Sequence, residues 1–153
     1  MTNEALKITL LELNPSIIFD ESGEWLTINI EDSSQWKLLS NQLRNDAGLS
    51  FDYLFCLTCI DWKTHLTMVY HLSSTSFRHN IVLKINLDRV KPEIETVSNI
   101  WRTAEFHERE VYELFGVNFL NHPDLRLLIL PDGWEGKNPL RKDFEDPINM
   151  IKL

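Results

Sequence analysis

The chain has 153 residues, of which 43% are hydrophobic and 25% are charged, and its formal net charge is −8. This length fits one domain with a substantial core, and the composition is typical of a soluble globular protein. The acidic balance argues against a nucleic-acid-binding surface, which needs a basic face, and two cysteines are too few for a disulfide scaffold.

The N-terminal residues 1–7 contain neither the basic segment nor the apolar segment of a signal peptide. No apolar run approaches the ~18–20 residues that a membrane-spanning helix needs. We therefore expect no signal peptide and no direct insertion of this chain into a membrane.

The first third of the chain predicts a helix, two strands and a second helix. Helical spacing of apolar residues over 3–13 ends at Asn14-Pro15, and strand candidates at 16–20 and 25–30 flank a turn, which predicts a hairpin. The second helix begins after the capping residues 32–34 and ends before Gly48. Its apolar stripe consists of Trp36, Leu39, Leu43 and Ala47.

Three further strand candidates follow at 51–60, 66–73 and 79–87, and the last alternates apolar and polar residues with period two. Residues 92–98 are expected to form a connection. The order helix, two strands, helix, three strands predicts a two-layer α+β fold, in which helices cover a mixed sheet before a last helix and an extended tail.

The last helix is predicted at 105–116, with Gly116 as its left-handed cap. Val111, Leu114 and Phe115 fall on one face, and the helical projection places Arg109 and Glu113 on the opposite, solvent-facing side.

Two acidic residues of this helix, Glu108 and Glu110, border its apolar face. A half-buried carboxylate needs a cationic or hydrogen-bonding partner. The candidates within the chain are Arg126, Arg141 and Lys142.

Residues 122–153 differ in character from the rest of the chain. Pro123, Pro131, Pro139 and Pro147 recur at intervals of eight, a spacing that leaves no room for a helix, and only residues 125–130 are a strand candidate. We therefore divide the single domain into an α+β scaffold at 1–121, ending in the helix 105–116, and an extended docking tail at 122–153.

Cys56 and Cys59 form a Cys-x-x-Cys motif, which occurs in redox and zinc sites. Here the motif lies in a predicted strand, where an offset of three residues points the two side chains to opposite faces. No second ligand pair accompanies it. We favour core thiols, and a free-standing thiol-redox or zinc protein remains the alternative.

Other chemical motifs are lacking in the sequence. There is no nucleophile elbow, Gly-rich phosphate loop or dinucleotide fingerprint, and the histidines show no metal-ligand spacing. His122 fits either a general base or a turn histidine held by Asp124 or by backbone groups, and we favour the turn. The sequence therefore predicts no catalytic, cofactor-binding or metal-binding residues.

Two segments resemble a known family. Residues 108–126 begin Glu-Arg-Glu, continue to Tyr-Glu-Leu-Phe-Gly and end His-Pro-Asp-Leu-Arg, and residues 138–144 are Asn-Pro-Leu-Arg-Lys-Asp-Phe. This pattern resembles the signature of the 30 kDa subunit, also called the C subunit, of respiratory complex I, the proton-translocating NADH:quinone oxidoreductase. The resemblance extends upstream to 51–61 and 69–73. The signature residues expected at interfaces are Glu108, Arg109, Glu110, Tyr112, Gly116, His122, Pro123, Asp124, Arg126, Pro139, Leu140, Arg141, Lys142 and Asp143.

The resemblance implies a non-catalytic subunit of the peripheral arm that supports assembly and stability of the quinone-reducing module. FMN, iron–sulfur clusters and quinone would belong to partner subunits, namely the quinone-site subunit and the iron–sulfur subunits. The chain would be a peripheral membrane protein on the cytoplasmic side of the bacterial cell membrane, in an electron-transport complex that uses NAD. A related membrane-bound hydrogenase-type complex is an alternative. We also expect Arg141→Ala to weaken association with the quinone-site subunit while leaving the stability of the domain nearly unchanged.

Overall fold

The computed structural model describes residues 2–15, 17–146 and 148. Ser16, the predicted start of the first strand, and residues 147 and 149–153 of the predicted tail lie outside the described residues. Helix α1 (Asn3–Leu13) begins where the Thr2 hydroxyl accepts the N–H of Ala5 at 3.3 Å, which caps one of the free amides of its first turn.

A five-stranded sheet forms the centre of the molecule, with the strand order β1-β2-β5-β4-β3. Only the β2–β5 pair is parallel, so the sheet is mixed and the predicted α+β fold is confirmed. The predicted hairpin corresponds to the antiparallel β1–β2 pair. The strands are β1 (Ile18–Asp20), β2 (Thr27–Ile30), β3 (Tyr53–Asp61), β4 (His65–Ser73) and β5 (Asn80–Asp88).

Helix α2 (Trp36–Asn45) follows one 3-10 turn at Ser33–Gln35 and packs against the sheet. Of its predicted stripe, Trp36, Leu39 and Leu43 are buried in the same core as the inward side chains of the sheet. Ala47 is exposed, contrary to the prediction, because α2 ends earlier than expected. The carboxylate of Asp46 accepts the N–H groups of Gly48 and Leu49 and turns the chain there.

Two short strands, β6 (Glu93–Glu95) and β7 (Asn118–Leu120), pair in parallel on either side of helix α3 (Ala104–Phe115). The sequence predicted only a connection at 92–98, because three-residue strands are too short to show a period. The Trp101 indole donates to the carbonyl of Phe51 at 2.8 Å, which attaches the approach to α3 to the central sheet.

Helix α3 ends as predicted. Gly116 has φ +76° and its N–H donates to the carbonyl of Tyr112. A Cβ at this position would lie 2.5 Å from the Asn138 side chain, so both the backbone conformation and the close approach of the tail require glycine.

Past β7, the described part of the tail contains neither helix nor strand. The strand candidate at 125–130 was wrong, because its amides donate to a side chain of α3 instead of a neighbouring strand. Among the described residues, no helix has both the length and the apolar character needed to cross a membrane.

Candidate docking site

Three ionisable side chains of α3 are buried: Glu108, Arg109 and Glu113. The prediction that Arg109 and Glu113 face solvent was therefore wrong. A helical projection identifies the side opposite the core, but it does not show that another part of the chain covers that side. Here the tail covers it.

The Glu113 carboxylate binds the backbone of the tail. It accepts the N–H of Leu128 at 2.8 Å, that of Ile129 at 2.9 Å and 3.1 Å, and that of Leu130 at 3.1 Å. Three consecutive amides thus converge on one buried carboxylate, an arrangement that replaces the water lost on burial.

Arg109, one turn earlier, binds the preceding carbonyls. Its Nε donates to the carbonyl of Arg126 at 3.1 Å, and one terminal nitrogen donates to the carbonyl of Leu127 at 2.7 Å. A second nitrogen lies 4.0 Å from the Asp124 carboxylate. We call this unit, Arg109 and Glu113 together with the bound segment 126–130, the tail clamp.

The tail clamp provides hydrogen-bond partners for backbone groups of the tail but leaves apolar side chains of the same segment exposed to solvent. Leu128 is 38% exposed and Ile129 is 69% exposed, although their amides are both bound to Glu113. A surface of this kind can be covered by a partner without leaving those backbone groups unpaired, which would otherwise oppose association.

A second set of contacts anchors the far end of the tail to β3. The buried Asp61 carboxylate accepts two bonds from Arg89, both 2.8 Å, and the N–H groups of Lys63 and Lys142 at 2.8 Å and 2.9 Å. Arg89 also donates to Asp143 at 2.7 Å. The bonds from Arg89 hold the pKa of Asp61 well below its usual range, despite desolvation by burial.

Arg141 closes the C-terminal end of α3. Its Nε donates to the carbonyl of Phe115 at 2.7 Å, and a terminal nitrogen donates to the carbonyl of Arg89 at 3.2 Å. The N–H of Leu140 donates to the carbonyl of Leu114 at 3.1 Å. These bonds use carbonyls that lack helical partners, so Arg141→Ala is now expected to lower stability as well.

The acidic residues Glu108 and Glu110 do not pair with the basic residues suggested by the sequence. Glu108 accepts the N–H of Val97 at 2.8 Å and the hydroxyl of Thr96. Burial raises the pKa of Glu108 to about 7, and these two hydrogen bonds oppose that effect. Glu110 is half-buried, and its side chain makes no hydrogen bond or ion pair with any described residue.

His122 is a turn histidine, as we favoured. Its Nδ1 lies 3.0 Å from the N–H of Asp124, and its Nε2 lies 3.0 Å from the carbonyl of Glu105. Arg126 pairs with Asp124 at 2.9 Å. The imidazole therefore connects the tail to α3, and both nitrogens are engaged.

The remaining signature residues are distributed along α3 and the tail. The Lys142 ammonium lies 5.6 Å from the centre of the Trp62 ring, and Leu140 is 53% exposed. Tyr112 and Pro139 are partly buried, and Pro123 is exposed beside the loop that follows β6. The structure thus joins most of the signature to α3 or β3 by contacts within the chain.

The two cysteines are free and lie on opposite faces of β3. Cys56 pairs opposite His71 and is half-buried, whereas Cys59 pairs opposite Met68 and is buried. Burial, followed by the charge of Asp61, raises the pKa of Cys59 to about 12, the reverse of what a redox thiolate needs. Within the described ranges, no three His, Cys, Asp or Glu side chains are grouped as a metal site.

The sequence did not predict three of the residues that make these contacts. They are Arg89, Thr96 and Glu113, the last of which was not expected to bind the tail. Arg89 and Asp61 are 28 residues apart, and no local pattern links them. Glu113 was predicted to lie on the solvent-facing side of the helix. The one sequence feature that pointed to such contacts was the excess of acidic over basic residues on α3, since those acidic side chains need hydrogen-bond donors elsewhere in the chain.

The sequence of this chain matches that of a known protein family over most of its length. A family model described as the respiratory-chain NADH dehydrogenase 30 Kd subunit matches residues 30–148. The chain therefore belongs to the 30 kDa subunit family of respiratory-chain NADH dehydrogenases, as the signature had indicated.

Among its relatives, the C subunit of NADH-quinone oxidoreductase from Chlorobium phaeobacteroides is 35% identical over 130 residues, which are 83% of this chain and 78% of that protein. The C/D subunit from Phocaeicola vulgatus is 44% identical over 119 residues, which are 76% of this chain and 23% of that protein. The C subunit of F(420)H(2) dehydrogenase from Methanosarcina mazei is 43% identical over 100 residues, 64% of this chain and 63% of that protein. The chain thus spans only about a quarter of the C/D relative, and the aligned part covers 49% of the C subunit from Chloroherpeton thalassium.

Two solved structures share the fold. A chain of the membrane-bound sulfane sulfur reductase, described as an archaeal respiratory membrane complex, has a TM-score of 0.78 and 27% identity, over 93% of this chain and 85% of that chain. A trypsin-resistant fragment of Nqo5 has a TM-score of 0.66 and 25% identity, over 78% of this chain and 98% of that chain.

Proposed function

We propose that this protein is a non-catalytic, cofactor-free subunit of the peripheral arm of a proton-translocating NADH:quinone oxidoreductase, where it supports assembly and stability of the quinone-reducing module. The observation that carries this proposal is the tail clamp. It fixes segment 126–130 and leaves Leu128 and Ile129 exposed, which suits a docking element. Residues 1–121 act as the scaffold and residues 122–153 as the docking tail.

The proposed partners are the quinone-site subunit, which is the D subunit of such complexes, and the iron–sulfur subunits. Relatives from Phocaeicola vulgatus and Bacteroides thetaiotaomicron carry the combined name C/D, which supports a close association of the two units. Flavin, iron–sulfur clusters and quinone are assigned to the partners. The buried charged side chains described above are instead bound to other groups of this chain.

The proposed location is the cytoplasmic side of a bacterial cell membrane, where the chain is held peripherally through the complex. Leu128, Ile129 and Leu140 of the tail are candidates for contacts with apolar side chains of the quinone-site subunit. Since the Leu128 and Ile129 amides are bound to Glu113, they are not free to pair with a partner strand. The contact is therefore expected to depend on side-chain packing.

A second candidate is the equivalent subunit of a related respiratory complex with another electron donor, such as the membrane-bound hydrogenase type suggested by the sequence. The similarity to the F(420)H(2) dehydrogenase relative and to the sulfane sulfur reductase complex supports this alternative. Purification of the native complex separates the two candidates. NADH-binding and flavin-binding subunits accompany the chain only in the first.

The docking role is tested with the double variant Leu128→Asp, Ile129→Asp in cells that produce the whole complex. We expect recovery of the quinone-site subunit with the tagged chain to fall at least about tenfold, because two charges would be buried without partners. The matched control is Val90→Asp, at a position 94% exposed between β5 and β6, which should leave recovery unchanged. Equal recovery with both variants, from chains of equal stability, would remove the proposal.

A further inference from the structure

Glu108 stands apart from the other buried acidic residues of the protein. Its side chain is 0% exposed, and it accepts bonds from one hydroxyl, that of Thr96, and one amide, that of Val97. A carboxylate removed from water in this way is costly unless its charge is compensated.

Among the described residues, two other carboxylates are buried, and both have fuller compensation. Asp61 has the Arg89 guanidinium and two amides, and Glu113 has three amides, with Arg109 one turn away on the same helix. No basic side chain donates a hydrogen bond to Glu108 in the described part of the chain.

The imidazole nearest to Glu108 has both nitrogens engaged by backbone groups. His122 Nε2 lies 3.7 Å from Oε2 of Glu108, but His122 Nδ1 accepts the N–H of Asp124. The proton of a neutral ring must then be on Nε2, which donates to the carbonyl of Glu105. The Nε2 proton is thus directed at the Glu105 carbonyl and not at the Glu108 carboxylate.

Each element packed around Glu108 contributes a group to consider. The positive charge of Lys37 of α2 acts weakly on Glu108, because this ammonium is bound to the carbonyl of Thr96 and the side chain of Asn99. Tyr70 of β4 faces the carboxyl with a buried neutral phenol, whose pKa is raised by burial and by Glu108. On α3 itself, Glu105 contributes its backbone carbonyl to His122.

A hydrogen-bonded path leads from Glu108 to the surface. The Thr96 hydroxyl, which donates to Glu108, lies 2.8 Å from the hydroxyl of Ser98. Ser98 lines an open cavity of about 380 Å³ together with Lys37 and Asn121. Solvent in this cavity can exchange protons with the Ser98 hydroxyl.

We propose that Glu108 is a proton-binding site, whose carboxyl group exchanges its proton with solvent through the hydroxyl groups of Thr96 and Ser98. In the uptake direction, Thr96 passes its hydroxyl proton to the carboxylate, Ser98 replaces it, and a solvent proton replaces that of Ser98. The net change is one solvent proton bound and one negative charge removed from α3. The pKa of Glu108, raised to about 7 by burial, places this exchange near neutral pH.

The test is a ¹³C NMR titration of the glutamate carboxyl groups in the full-length chain. One carboxyl should titrate near pH 7 instead of near 4.5, and its signal should be absent in Glu108→Gln. Titration of every glutamate near its ordinary pH would overturn the proposal.

The variant Thr96→Val gives a second way to assign the carboxyl signal to Glu108, and it does not depend on whether Glu108→Gln folds. Loss of the hydroxyl removes one bond to the carboxylate, so the midpoint of the same signal should rise by about one pH unit. It should also slow proton exchange, because the path to Ser98 is broken. A midpoint that does not move in Thr96→Val would contradict the assignment to Glu108.

Discussion

The two flanks of α3 bury acidic side chains to a similar extent but surround them very differently. On the flank that faces the tail, Glu113 meets three amides and Arg109 meets two carbonyls. On the flank that faces β6, Glu108 meets one amide and one hydroxyl. The first arrangement stabilises a charge, and the second favours a proton. Burial alone therefore does not reveal what an acidic residue of this helix does.

Asp61, which binds the tail at Lys142, is a third buried carboxylate, and its charge is compensated directly by the guanidinium of Arg89. We predict that neutralising a buried acidic residue lowers the stability of the protein more when its negative charge is more fully compensated by neighbouring groups. The order of cost is Asp61, then Glu113, then Glu108.

Asp61→Asn should lower the free energy of unfolding most, by about 3–5 kcal/mol, because it removes the buried partner of Arg89 and leaves only the exposed carboxylate of Asp143 to pair with it. Since the pKa of Asp61 is depressed, its contribution is present above the ordinary value of 3.8 and is lost as the pH falls below it. Urea unfolding at pH 7 and pH 3 measures both effects. The control Asp132→Asn, at an exposed tail position, should change stability by less than about 0.5 kcal/mol.

Glu113→Gln should lower stability by about 2–3 kcal/mol, because an amide NH2 group would face backbone N–H groups that now donate to oxygen. The same unfolding measurement applies. Glu110→Gln is the matched control on the same helix, and we expect a change within about 0.5 kcal/mol. Equal effects of the two substitutions would mean that the tail clamp contributes nothing to stability.

Glu108→Gln should have the smallest effect, within about 1 kcal/mol below pH 5, because glutamine has the shape and hydrogen-bonding groups of the protonated acid. The raised pKa makes the contribution of Glu108 fully present below the ordinary value of 4.5 and lost as the pH rises through about 7. The wild-type chain should therefore lose stability relative to the variant between those pH values. If the difference in unfolding free energy between the two chains stays constant, or grows in favour of the wild-type chain as the pH rises, then Glu108 is a stabilised carboxylate and its pKa is not raised.

Much of the fold could be predicted from the sequence because the signals were local. Alternation in β5, the Asp32 cap before α2 and Gly116 after α3 all depend on neighbouring residues, and each has its counterpart in the structure. The family signature likewise lies in two short segments of the chain. It identified the family, without showing what its residues contact.

What escaped prediction depends on contacts between distant segments. The burial of Arg109 and Glu113 follows from the position of the tail, and a projection of α3 alone contains no information about it. The link between Arg89 and Asp61 crosses 28 residues, and the β6–β7 pair consists of three-residue strands. In each case the residues were visible in the sequence, but the distant group that each of them binds was not.

We infer that α3 orders the tail by binding its backbone within this chain. Amide hydrogen exchange of Leu128, Ile129 and Leu130 in the isolated full-length protein tests it most directly, because these three amides donate to Glu113. We predict strong protection in the wild-type chain, loss of protection in Glu113→Gln and retention in Glu110→Gln. Exchange of the three wild-type amides at the rate of an unstructured peptide would show that Glu113 does not order the tail.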